Sequence, residues 1–132
     1  MKIQEFVQQL EEVEVLLNQF ADSMKLNPKV ISSKSSLAVP IYACDLIEAY
    51  VDLELSNGNA LTWWSDMTLR ENTLVLEIST LETDKAGEKV ISSEEREVSI
   101  NPEETISILR NSLYDFRQSV ETLSEEKVLT TR

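Results

Sequence analysis

Apolar residues recur every three or four positions at both ends of the chain and every second position in its middle. At the N-terminus, Ile3, Phe6, Leu10, Val13, Leu17, Phe20 and Met24 follow spacings of 3, 4, 3, 4, 3 and 4, with Val7 and Leu16 widening the stripe. That pattern predicts an amphipathic helix over residues 1–26. Asn27-Pro28 ends it, because the residue before a proline is driven out of the helical region. The serine-rich stretch "KVISSKSSLAVP" then reads as a connection, since serine side chains compete for backbone hydrogen bonds and favour turns. A second helix is predicted over residues 102–123. Asn101 is placed to cap it, Pro102 takes its first position, and Glu104 stands where a capping box needs a carboxylate. Ile106, Leu109, Leu113, Phe116, Val120 and Leu123 form its stripe. Residues 124–132 are expected to fray.

The span 37–100 reads as an antiparallel sheet of four to five strands. Ala49, Val51, Leu53 and Leu55 alternate with Tyr50, Asp52 and Glu54. Leu61, Trp63, Met67 and Leu69 alternate with Thr62, Trp64, Asp66 and Thr68. Leu74, Leu76 and Ile78 alternate with Thr73, Val75, Glu77 and Ser79. One apolar and one mostly polar face per strand is the pattern of a sheet covered on one side. A further strand is expected within Val90–Ile100. Residues 37–48 are ambiguous: Pro40 restricts any strand there to an edge, and Asp45 to Ala49 also suits a helical turn.

The two tryptophans, Trp63 and Trp64, are neighbours, and neighbouring strand side chains point to opposite faces. Pairing the apolar faces across "SNGN" favours a three-residue loop, Asn57-Gly58-Asn59, with Leu55 opposite Leu61 and Leu53 opposite Trp63. A turn at Glu71-Asn72 then sets Leu69 opposite Leu74 and Met67 opposite Leu76. Trp63 enters the core. Trp64 takes the other face, beside Asp52 and Ser79.

These elements make a single two-layer α+β domain: N-terminal helix, antiparallel meander, long C-terminal helix. Both helices cover the face bearing Val51, Leu53, Trp63, Met67, Leu76 and Ile78. At 132 residues and 42% hydrophobic content, the chain is long enough to bury a core without disulfide or metal staples. No apolar run is long enough to span a membrane and the N-terminus lacks a signal peptide's apolar stretch. With one cysteine, Cys44, no internal disulfide forms, and a cytoplasmic location is expected.

The formal charge of −12 argues against nucleic acid and anionic membranes as partners and favours basic proteins. The chain has no histidine, one cysteine and two glycines. This leaves no histidine-based triad, no cysteine or histidine metal cage and no glycine-rich phosphate loop, so no cofactor or metal is expected. The acidic pairs Glu11-Glu12, Glu94-Glu95, Glu103-Glu104 and Glu125-Glu126 read as solvated surface, because adjacent helical side chains do not converge. Asp45 and Glu48, if helical, supply only two cation ligands. Cys44 reads as a small buried hydrophobe.

The function expected is that of a non-catalytic protein-interaction module, immunity-protein-like or chaperone-like. Small acidic proteins that neutralise bacterial toxins or escort secreted effectors are similar in size and charge, although no motif ties the chain to either. Its partner-binding residues are expected to be Trp64, Tyr50, Val75, Asp52, Glu54, Asp66 and Glu77, an aromatic centre within an acidic rim. The alternatives are a structural subunit, in which the long helical stripes form a homodimer, and a small carboxylate-dependent enzyme.

Overall fold

The computed structural model describes residues 3–38, 45–99 and 102–130. Helix α1 (Ile3–Met24) leads into strands β1 (Val30–Ala38), β2 (Asp45–Leu55), β3 (Ala60–Arg70), β4 (Thr73–Asp84) and β5 (Gly87–Val98), and helix α2 (Pro102–Thr130) follows. The strands form one antiparallel sheet in sequential order. Both helices pack on the same face, which makes the expected two-layer α+β domain. An odd number of strands returns the chain to the end from which it started, so α2 runs parallel to α1. Phe20 meets Phe116 with ring centroids 5.9 Å apart, and further along Asn27 reaches Glu121.

Trp63 lies at the centre of the core, fully buried, and its indole N–H donates to the Ser112 hydroxyl of α2 at 2.9 Å. Around it are Val51, Leu53, Leu61, Met67, Leu76 and Ile78 of the sheet, all buried. The α2 stripe is buried as its spacing predicts, from Ile106 through Leu109, Leu113 and Phe116 to Val120. The side chains of Ile3, Phe6 and Leu123 lie outside the described residues, as do Asn101 and Cys44. In α1 the buried arc differs from the predicted stripe. Gln9 is buried, Leu10 is half-buried and Val7 is exposed. Gln9 shares a helix flank with Leu16 and Phe20, and Phe20 packs on α2. Burial in α1 therefore spreads from the sheet side to the α2 side.

Two expectations about the backbone need correction, and the ambiguity at residues 45–49 is resolved. The serine-rich stretch is a strand, β1, so the sheet begins at residue 30 and not at 37. Its Ser33 and Ser35 oppose Leu53 and Val51 on the core face. Small side chains there let α1 lie close, and the Ser35 hydroxyl bonds Asn18 at 2.8 Å. Residues 45–49 belong to β2 and form no helical turn, so Asp45 and Glu48 have no shared helical face. The backbone of α2 continues to Thr130, where a frayed tail was expected from residue 124.

The β2–β3 register is also corrected. Leu53 pairs with Leu61 and Val51 with Trp63. The loop is Ser56-Asn57-Gly58, closed by a hydrogen bond from the Leu55 amide to the Asn59 carbonyl at 2.8 Å. Gly58 takes the left-handed conformation (φ 88°) that the third position of such a loop demands. Asn59, buried and bonded to Glu82, is unsuited to the loop's tip. The loop is displaced by one residue from Asn57-Gly58-Asn59, which slides the pairing by two and leaves each residue on its expected face. The next hairpin matches its prediction: Leu69 opposes Leu74, Met67 opposes Leu76, and Glu71 and Asn72 both have positive φ.

A lateral tie holds α2 at Glu121. Glu121 accepts from Lys29 Nζ and from Asn27 Nδ2, each at 2.8 Å, and these bonds hold its carboxyl below the usual carboxylate range. Edge strand β5 is almost wholly exposed and rich in charge, which guards an unpaired edge against association.

The packing around Trp63 leads to a direct expectation. Trp63→Ala should lower stability by about 3–5 kcal/mol, through lost burial and the cavity left behind. Urea denaturation, with an unchanged m-value, checks it.

Candidate functional site

The sheet face opposite the helices is the candidate site. No described helix packs on it. Alternation places Thr62, Trp64, Asp66 and Thr68 there from β3, and antiparallel pairing extends each of them into a transverse row. Trp64 pairs with Tyr50 on one side and Ser79 on the other. The Tyr50 and Trp64 rings stack, with centroids 6.5 Å apart and planes 26° from parallel. The corrected register thus puts Tyr50, not Asp52, directly beside Trp64. Asp52 opposes Thr62 and accepts its hydroxyl at 2.9 Å.

The next row is acidic across four strands. Glu48 opposes Asp66, Asp66 opposes Glu77, and Glu77 opposes Glu95. Like charges directly across a sheet repel, so this row works against the fold. Arg70 relieves one end of it: one guanidinium nitrogen contacts Glu77 and another contacts Glu95. Those carboxylates in turn raise the Arg70 pKa, the Glu77 hydrogen bond most of all. At the other end the Tyr50 hydroxyl lies 3.4 Å from Glu48 Oε2. Burial and then the Glu48 charge push the Tyr50 phenol above its ordinary pKa, so it stays protonated and donates at neutral pH.

Several polar groups on this face are closely enclosed. Asp66 is 9% exposed and Thr68 7%. The Thr68 hydroxyl is buried without a hydrogen bond among the described residues, and the buried Trp64 indole N–H has only the neighbouring Tyr50 phenol to donate to. Buried donors without acceptors are uncommon and mark places where another molecule can contribute. Val75 pairs with Thr68 and is buried at the edge of this patch.

The structure therefore brings together Trp64, Tyr50, Val75, Asp66 and Glu77. Asp52 and Glu54 share the face but lie along the rows toward the Gly58 hairpin, opposite Thr62 and Ala60. Sequence reasoning missed Glu48, Thr68 and Arg70 as members of the site. Glu48 was legible in principle, because Ile47 and Ala49 continue the alternation of Val51 backwards. The full acidic row depends on strand register.

Among the described residues, no group of three or more acidic, cysteine or histidine side chains converges to hold a metal ion. No helix among them is long and apolar enough to cross a membrane. No protein-family model matches the chain, and neither a curated protein nor a solved structure matches it significantly.

The Arg70 bridge can be tested by its salt dependence. Arg70→Ala leaves Glu77 and Glu95 facing each other and should lower the melting temperature slightly at low ionic strength. The loss should shrink in 1 M sodium chloride, about where screening reaches contact distance. Thermal melts at both salt concentrations check it.

Proposed function

We propose that the chain is a non-catalytic interaction module that docks a basic protein on its outer sheet face. The observation that carries this reading is the stacked Tyr50–Trp64 pair beside a four-carboxylate row, on a face no described helix covers. An aromatic centre with a charged rim is how interface hot spots are built. The net charge of −12 speeds encounter with a basic partner and works against nucleic acid. A single cysteine fits a reducing, cytoplasmic setting.

The test is affinity capture from an extract of the protein's own cells, at low and high salt. Trp64→Ala should leave the melting temperature nearly unchanged and weaken capture of a basic protein by about 2 kcal/mol or more. Equal capture by wild type and variant would overturn the reading.

A second reading, a homodimer through the helices, is favoured by one observation. Val15 and Tyr114 are 54% and 61% exposed. They flank grooves between α1 and α2 that also hold Leu16, Glu11, Glu12 and Arg110. Acidic α1 and basic Arg110 suit a two-fold arrangement in which each copy offers both charges. Light scattering should then give twice 15.0 kDa at high concentration and a monomer for Val15→Asp. A constant monomer mass for wild type would remove the dimer.

A further inference from the structure

We infer that β1 accepts a further strand from the partner, an extended segment with basic side chains at alternate positions; the basic character of that segment rests on the reading of the outer face as a docking surface. β1 ends the sheet. It pairs with β2 on one side and with no described strand on the other. Alternate backbone N–H and C=O groups along such an edge point away from the sheet and can template another chain. A bulge disturbs the pairing at Ile31, and from Ser32 to Ala38 the register is unbroken.

The two edges of the sheet are built differently. β5 bears Glu88, Lys89, Glu94, Glu95, Arg96 and Glu97. β1 bears Lys34 as its one charged residue, among serines and apolar side chains. Lys34 stands opposite Asp52, and opposite charges across a strand pair attract. Charge along an edge discourages strand addition, so β5 is guarded where β1 is open to it.

What lies behind the edge selects the occupant. The outward residues of β1 are Ser32, Lys34, Ser36 and Ala38, and opposite them on β2 stand Glu54, Asp52, Tyr50 and Glu48. Apart from Lys34, these β1 side chains are small. A strand added beyond β1 lies two strand spacings from β2, about 10 Å. A long basic side chain and a glutamate extending toward each other over serine or alanine close that gap. Glu54 is exposed behind Ser32, and Glu48 is half-buried behind Ala38. Glu48 accepts the Tyr50 hydroxyl through Oε2, and a carboxylate has capacity for further donors. Tyr50, behind Ser36, offers a ring face to a cation. On the inward side Leu37 packs against the core, so the segment's other positions suit apolar residues. A second copy of the chain matches this edge less well, because its own β1 brings one basic side chain and the whole molecule carries a charge of −12. The edge is continuous with the outer face, since the row of Tyr50 and Trp64 ends at Ser36.

The test uses the full ¹⁵N-labelled chain in low-salt buffer. It is titrated with the blocked peptide Thr-Lys-Val-Lys-Val-Lys-Thr and with its counterpart carrying glutamate in place of lysine. The lysine peptide should shift the amide signals of Ser32 to Ala38, slow hydrogen exchange at alternate amides among them, and bind about tenfold or more tightly than the glutamate peptide. Two further versions are N-methylated on the lysines or on the valines. Strand addition uses alternate amides, so one version should bind and the other should not. Ser36→Lys, at an exposed edge position, should weaken binding about tenfold with signal dispersion retained; if that variant does not fold, Ala38→Lys supplies the same readout. Binding of both methylated versions, or of neither, overturns strand addition, as do shifts confined to residues away from β1 or no shifts with any peptide. Equal binding of the glutamate peptide overturns the basic occupant. Changes in the β1 signals on concentrating the chain alone, unaltered by peptide, give the edge to a second copy and overturn the proposal. In each of these cases, Trp64-dependent capture of a basic protein shows that the docking reading survives on its own. Loss of that dependence with peptide binding at β1 intact removes the docking reading and leaves strand addition standing.

Discussion

The parity of β3 governs the rest of the molecule. Trp63 is buried in the core and tied to Ser112 of α2, so its strand is held with odd-numbered side chains inward from Leu61 to Met67. A slip of one residue would bring Trp64, Asp66 and Thr68 under the helices and expel Leu61, Trp63 and Met67. Pairing through β3 is continuous on its β4 side, and the irregularity on its β2 side is confined to the Asp45 end. The inward and outward faces therefore stay coherent across the centre of the sheet. Everything argued about Trp64 follows from where Trp63 is fixed.

Topology then decides what the outward face is free to do. A five-stranded meander returns the chain to its starting end, and α2 lies beside α1 on one face. The tie from Asn27 and Lys29 to Glu121, and Arg117 over the Phe20 ring at 5.4 Å, fasten the two helices along their length. Helix–helix and helix–sheet contacts supply the hydrophobic burial that holds the fold. The outer face can thus carry features unfavourable to stability, namely aligned carboxylates and a buried Thr68 hydroxyl without a partner among the described residues. Such local conflicts between side-chain choice and folding are expected at working surfaces.

Much of this was legible in the sequence because period encodes face. The α2 stripe, the alternation of β2 through β4 and the Glu71-Asn72 turn rest on local patterns that tertiary structure had no cause to override. β1 was hidden because its central inward positions, Ser33 and Ser35, are serines, which allow close approach by α1 and are indistinguishable from turn residues by composition. The Ser56-Asn57-Gly58 loop shows a different limit. Displacing a loop by one residue preserves faces yet changes every cross-strand neighbour by two. Trp64 was therefore assigned to the right face while its partner, Tyr50, was misplaced, and the row from Glu48 to Glu95 was invisible without the register.

The assignment of the two tryptophans to opposite faces is tested most directly by fluorescence of single-tryptophan proteins. The Trp64→Phe protein retains Trp63; its emission should be blue-shifted and resist acrylamide. The Trp63→Phe protein retains Trp64, and should emit at longer wavelength and be quenched. The reverse pattern would contradict the register of β3 and with it the outer-face site.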